Sequence, residues 1–103
     1  MNTKEVLIKA RELISDPNNW TAHAYARDAK GERGEINSPA ACKFCALGAV
    51  QRVIGRPHDP SLSRKAWNAL HEQTSDYSVA SVNDNEGHAA VMEMFDKAIA
   101  ECP

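Results

Sequence analysis

Cys42 and Cys45, in the tetrapeptide Cys42-Lys43-Phe44-Cys45, form the most conspicuous pair of residues that could perform chemistry. A C-x-x-C spacing places two thiols about one helical turn apart, as in a redox pair or half of a zinc site. A structural zinc site needs four ligands, and the sequence contains neither a second C-x-x-C nor an H-x-x-x-H. We therefore expect no metal and no cofactor, and interpret both cysteines as small apolar residues. The other candidate ligands are isolated in the sequence: His23, His58, His71, His88 and Cys102.

A second constellation combines Cys45 with His88 and the Asn83-Asp84 pair. A cysteine nucleophile needs a base within hydrogen-bond reach and a third group that orients this base. If the start of the last helix meets Cys45, these groups would assemble a cysteine hydrolase, with Cys45, His88 and Asp84 as catalytic candidates. We favour the other interpretation, in which Asn83 or Asp84 caps that helix and Glu86 completes the cap.

Basic residues give the segment 52–65 a net charge of +3, and Trp67 follows it. This segment, the basic corner, could contact nucleic acid. A nucleic-acid accessory protein is therefore a further alternative function. Basic side chains also accumulate at helix C-termini, which explains the same segment as a solvated corner. The whole chain has a net charge of -2, so we do not expect a nucleic-acid partner.

The length of 103 residues predicts one domain, 1–103. With 43% hydrophobic and 25% charged residues, the composition excludes disordered and collagen-like chains. The first nine residues do not resemble a signal peptide, and no stretch is long and apolar enough for a membrane span. Three cysteines without an export signal indicate reduced thiols. We expect a cytoplasmic protein with no membrane partner.

Capping signals and apolar periodicity predict the helices. The first runs over 3–15, with Asn2 and Glu5 as its capping pair, and stops before Pro17. The second opens at Ser38-Pro39, carries Cys42 and Cys45 on its apolar stripe, and ends at Gly55. Residues 20–37 permit either a short helix or an extended run, and 27–35 is predicted to be a mobile loop.

Two further helices follow in the second half of the chain. One begins at Asp59-Pro60 or Ser61, continues to about Gln73 and is expected to bury Trp67; the other runs over 85–101. The predicted fold is mainly α, a small orthogonal four-helix bundle around the 42–54 helix, with a short extended or β segment near 77–83. Its predicted core contains Cys45, Ala49, Val53, Leu70, Val91, Phe95 and Ile99.

The order of several short motifs resembles a family of small bacterial and bacteriophage proteins with no assigned function. These motifs are Trp20, the run from Phe44 to Val50, Val82-Asn83-Asp84 and the run from Phe95 to Ile99. The resemblance spans about residues 5–100, excludes Cys42, and implies a fold type and a site without naming a substrate, cofactor or partner. Its matching positions supply our binding candidates: Trp20, Cys45, Gly48, Asn83 and Asp84, with Ala49 as a further match.

The small size and near-neutral charge favour a binding or regulatory module over an enzyme. Its expected partner is a protein or a small ligand. The two alternatives remain the hydrolase that uses Cys45 and His88, and the nucleic-acid accessory protein that uses the 52–65 corner.

Overall fold

The computed structural model describes residues 1–74 and 78–103. Within them the chain is mainly helical, as predicted, and a two-stranded antiparallel sheet accompanies the helices. The helices are α1 (Thr3–Leu13), α2 (Ala46–Ile54), α3 (Pro60–His71), α4 (Val79–Ser81) and α5 (His88–Glu101). The strands are β1 (Ala26–Arg27) and β2 (Lys43–Phe44), a 3-10 turn spans Pro17–Asn19, and a π-helical segment spans Val82–Glu86.

Helix α1 begins as its sequence predicts. The Asn2 side chain accepts a hydrogen bond from the Glu5 backbone at 2.9 Å, and the Glu5 side chain accepts one from the Asn2 backbone at 3.3 Å. These two bonds satisfy backbone N–H groups that have no partner inside the helix. The helix ends at Leu13, two residues earlier than predicted, and Pro17 lies in the 3-10 turn that follows.

The predicted start of α2 at Ser38-Pro39 is wrong, because the helix begins only at Ala46 and its N-cap is Cys45. The preceding residues form β2, which pairs with β1 so that Ala26 faces Phe44. The Cys42 backbone N–H donates to the Arg27 carbonyl at 3.0 Å, so its partner lies in a distant segment. Cys42 is consequently exposed and does not belong to the apolar stripe.

The second half of the chain differs from the sequence prediction at two points. Trp67 of α3 is 37% exposed and stacks on His71, with 4.8 Å between ring centroids, so it does not fill the core. The predicted extended segment near 77–83 is helical from Val79 onward, in α4 and the π-helical segment. Tyr77, its predicted first residue, lies outside the described residues.

Helix α5 starts at His88 rather than near residue 85. Its N-cap is Gly87, at φ 91°, which makes no side-chain capping bond. The prediction that Asn83 or Asp84 caps this helix is therefore wrong, and both side chains are available for other contacts.

The core lies where α2 packs against α1, α3 and α4, and α1 and α3 in turn pack against α5. Five of the predicted core residues are buried there: Cys45, Ala49, Leu70, Val91 and Phe95. The other two, Val53 and Ile99, are half-buried and pack against this core. No helix in the described ranges is both long and apolar enough to cross a membrane.

Candidate functional site

Asn83 is the central residue of the candidate site, and it is only 2% exposed. Its Oδ1 accepts hydrogen bonds from Trp20 Nε1 at 2.8 Å and from the Ala46 backbone N–H at 3.0 Å. Its Nδ2 donates to the Thr21 carbonyl at 3.0 Å and to Asp84 Oδ1 at 3.1 Å. A carboxamide offers two donors and two acceptor lone pairs, so its hydrogen-bonding capacity is fully used. Asn83 thus joins the 20–21 segment to the start of α2.

The π-helical segment explains how two adjacent side chains reach different surroundings. Asn83 is buried toward α2, whereas the Asp84 side chain remains 30% exposed. The wider turn of a π-helix changes the direction of successive side chains, and such segments often occur at functional sites. The residues that were predicted to be a helix cap therefore form one wall of the candidate site.

Asp84 is held against the backbone of His23. Asp84 Oδ1 accepts a hydrogen bond from the His23 backbone N–H at 2.9 Å, and its Oδ2 lies 3.7 Å from His23 Nδ1. Burial alone would raise the pKa of Asp84, but the bonds from the His23 backbone and the Asn83 side chain, together with the charge of His23, lower it below its usual value. The carboxylate is therefore ionised at neutral pH.

His23 also connects Asp84 to Arg33. The Arg33 guanidinium donates from Nη2 to the His23 carbonyl at 2.8 Å. His23 has φ 64°, in the left-handed region that residues other than glycine rarely occupy. The carboxylate of Asp84 accepts from the His23 backbone N–H, and the guanidinium of Arg33 donates to the His23 carbonyl. Two charged side chains thus fix the backbone of this residue.

Cys45 is the N-cap residue of α2. Its Sγ accepts a hydrogen bond from the Gly48 backbone N–H at 3.2 Å, and its own backbone N–H donates to the Tyr25 carbonyl at 3.2 Å. Burial raises the pKa of the Cys45 thiol, and the nearby Asp84 charge acts in the same direction. The thiol is therefore protonated at neutral pH, a state that suits capping better than nucleophilic attack.

His88 makes its polar contact away from Cys45. Its Nε2 lies 2.7 Å from the carbonyl oxygen of Ile14, and since a carbonyl only accepts, Nε2 donates this bond. The imidazole also meets the Trp20 ring edge-to-face, with 5.7 Å between centroids. His88 thus supports the end of α1 and the indole that binds Asn83.

An open pocket of about 550 Å³ lies beside Asn83, Asp84, His23 and Cys45. Apolar wall is provided by Ala24, Ala26, Leu47, Val79 and Ala80. Polar wall is provided by His23, Arg33, Cys45, Asn83 and Asp84. A pocket of this size, largely apolar with a few convergent polar groups, has the character of a small-molecule site.

The structure brings the five binding candidates into one region. Cys45, Asn83 and Asp84 line the pocket, whereas Trp20 and Gly48 lie behind it, in contact with Asn83 and with the Tyr25 backbone. The hydrolase candidate His88 is not among the lining residues.

Sequence reasoning missed two residues of the site, His23 and Arg33. Arg33 belongs to the 27–35 segment that was predicted to be a mobile loop. In the structure this segment is fixed by hydrogen bonds, including those from the Arg27 guanidinium to Thr21 Oγ1 at 2.9 Å and to the Gly31 carbonyl at 2.9 Å. Its glycine-spaced, charged sequence predicted a loop, but nothing in the sequence indicated that Arg33 contacts His23.

The structure also bears on the other two candidate sites, the metal site and the basic corner 52–65. Across residues 1–74 and 78–103, no three His, Cys, Asp or Glu side chains gather in a way that could hold a metal ion. In the basic corner, Arg52 Nη1 donates to the Ile36 carbonyl at 2.7 Å and to the Ser38 carbonyl at 2.8 Å. Its guanidinium also lies 5.5 Å from the centre of the Phe44 ring, so this charge serves the fold.

The two cysteines near α2 should differ strongly in reactivity. A raised pKa leaves less Cys45 thiolate at any pH below that pKa, and the thiolate is the reacting species. With iodoacetamide at pH 8, we expect exposed Cys42 to be alkylated at least tenfold faster than buried Cys45. Mass spectrometry of timed digests measures both rates, and the urea-unfolded chain, where they should converge, is the control. Equal rates in the folded protein would contradict the assigned environment of Cys45.

Comparison with known protein families matches almost the whole chain to one family. A family of unknown function, DUF6197, matches residues 1–101, and the chain belongs to this family. The match confirms the expected membership in a family without an assigned function. Neither a curated protein nor a solved structure matches the chain.

Proposed function

We propose that this protein is a small binding module that takes a small organic ligand into the pocket between the 23–26 segment, the start of α2 and residues 79–84. The observation that carries the proposal is the buried Asn83 carboxamide, whose hydrogen bonds fix the 79–84 wall to the start of α2 and to the 20–21 segment before any ligand arrives. A wall that is already fixed lowers the entropy cost of binding. The volume of about 550 Å³ suits a small molecule.

Binding is preferred to cysteine-dependent hydrolysis because of the surroundings of the two catalytic candidates. The pKa of Cys45 is raised by burial, and its Sγ already accepts a bond from the Gly48 backbone. His88 donates to the Ile14 carbonyl. An activated cysteine would instead need a lowered pKa or a base within hydrogen-bond reach.

The cellular setting forms part of the proposal. The free thiols of Cys42, Cys45 and Cys102 support a reducing, cytoplasmic location. The motif order that resembles small bacterial and bacteriophage proteins supports an origin in bacteria or their phages.

Filling the pocket tests the proposed function. Ala80 is exposed and lines the pocket, so Ala80→Trp adds bulk there without entering the core. We expect members of a small-molecule fragment library to shift backbone amide NMR signals of pocket residues, and Ala80→Trp to weaken this binding at least tenfold. Ala100→Trp, which adds the same bulk at an exposed position of α5, is the matched control and should bind like the parent.

Two outcomes of this experiment would overturn the proposed function. The first is a library in which no fragment shifts the signals of pocket residues. The second is fragment binding that Ala80→Trp and Ala100→Trp affect equally, because the bound fragments would then lie elsewhere.

A further inference from the structure

Two side chains of opposite charge line the same pocket, Asp84 and Arg33. Within the described residues Arg33 forms no ion pair, and its hydrogen bond goes to a backbone carbonyl. Asp84 Oδ1 is used by the His23 backbone and by Asn83, whereas Oδ2 has the His23 ring at 3.7 Å, beyond hydrogen-bond length. The pocket therefore presents a carboxylate and a guanidinium that are not paired with each other.

The spacing of these charges is limited by the residue that holds both of them. Asp84 Oδ1 lies 2.9 Å from the His23 nitrogen, and Arg33 Nη2 lies 2.8 Å from the His23 oxygen. Since the nitrogen and oxygen of one residue are about 3 to 4 Å apart, the two charged groups lie within about 10 Å of each other.

A small zwitterion reaches both charged groups where they are about 9 Å apart or less, which is inside this upper limit. In an α-amino acid the ammonium nitrogen and a carboxylate oxygen are about 3 Å apart. An ionic hydrogen bond of about 2.8 Å at each end allows such a ligand to reach two protein charges that are up to about 9 Å apart. The apolar wall, which includes half-buried Leu47 and exposed Ala80, would receive an apolar side chain.

We propose that the ligand of this pocket is a small zwitterion of the α-amino-acid type, with its ammonium group on Asp84, its carboxylate on Arg33 and an apolar side chain against Leu47 and Ala80. This inference rests on the proposed function and adds the chemical class of the ligand. Asp84 and Arg33 act together in it as the determinants of specificity.

The first test uses alanine, valine, leucine and phenylalanine as free amino acids, with amide NMR signals of the pocket as the readout. For the amino acid that binds best, N-acetylation removes the cation and conversion to the carboxamide removes the anion. Each blocked form should bind at least tenfold more weakly, because each loses a hydrogen bond between charged groups.

The second test pairs these probes with charge-removing variants. Asp84→Asn keeps an oxygen for the His23 backbone. This variant should bind the free amino acid and its N-acetylated form equally well, and it should still bind the carboxamide more weakly than the free amino acid. Arg33→Gln should bind the free amino acid and its carboxamide equally well, and it should still bind the N-acetylated form more weakly than the free amino acid. A purely structural role would weaken all three probes equally. Arg56→Gln, at an exposed arginine outside the pocket, should leave every affinity unchanged.

The outcomes separate this inference from the function on which it rests. If library fragments bind the pocket but none of the four amino acids does, the zwitterion inference is overturned and the binding function stands. If the blocked forms bind as tightly as the free amino acid, the inference is likewise overturned. If neither fragments nor amino acids bind, both proposals fail.

Discussion

Replacing Asn83 with alanine is expected to lower the free energy of unfolding by about 3 to 5 kcal/mol. The substitution would leave Trp20 Nε1, the Ala46 N–H and the Thr21 carbonyl without the partner that each now has. A buried polar group that loses its partner costs about 1 to 3 kcal/mol, and here the loss at the buried Ala46 N–H adds to two losses at partly buried groups. Urea denaturation of the parent and the variant measures the difference.

Asn85→Ala is the matched control for this prediction. Asn85 lies in the same π-helical segment, but it is exposed, and the hydrogen bond that its side chain makes to Ser81 Oγ, at 3.3 Å, is accessible to solvent. We expect this variant to remain within about 0.5 kcal/mol of the parent. The central position of Asn83 would be refuted if the two variants unfolded at the same urea concentration.

The size of the Asn83 effect also separates two explanations of the same residue. A helix N-cap that is replaced by alanine typically costs about 1 kcal/mol, which is the effect that the sequence interpretation implies. The structure instead places Gly87 at the start of α5 and gives Asn83 partners about 37 to 63 residues away along the chain. Capping signals identify polar residues near a helix start, but they cannot show which of these residues is hydrogen-bonded to a distant segment instead.

The helices that could be predicted are those whose ends are determined locally. The capping box of α1 and the Asp59 cap of α3 use side chains within three residues, so their signals are complete in the sequence. The start of α2 depends instead on the pairing of β1 with β2, which brings together residues 26–27 and 43–44. Ser38-Pro39 offers a good local helix start, and this non-local pairing overrides it.

The candidate site was predictable only in part, for a similar reason. Cys45, Asn83 and Asp84 were identified through the order of motifs along the chain, and the structure places all three on one pocket. His23 and Arg33 lie in a stretch without periodicity, and both contribute through the backbone N–H and carbonyl of His23. Every residue type has the same backbone N–H and carbonyl. A contact to these atoms therefore leaves no recognisable residue type at the contacted position, and a single sequence does not reveal it.

Gly48 shows how the absence of a Cβ permits this arrangement. A Cβ built at Gly48 would overlap the Tyr25 carbonyl oxygen and lie 2.9 Å from its carbonyl carbon. The same Tyr25 carbonyl accepts the bond from the Cys45 backbone, so the 23–26 segment rests directly on the first turn of α2. Backbone atoms cannot rotate away as a long side chain can, and relief would require one of the two segments to move.

Gly48→Ala is accordingly expected to lower the free energy of unfolding by about 3 kcal/mol or more, at or above the upper end of the usual cost of overpacking. Alanine favours helices over glycine by about 1 kcal/mol, so a net loss of stability would isolate the steric effect. Gly34→Ala is the control, because a Cβ at Gly34 meets no atom within 4 Å, and its stability should stay within about 1 kcal/mol of the parent. Urea denaturation provides the free energies, and circular dichroism shows whether the Gly48 variant still folds. A Gly48→Ala protein as stable as the parent would mean that the Tyr25 backbone does not rest on α2, and the wall of the pocket would have to be placed differently.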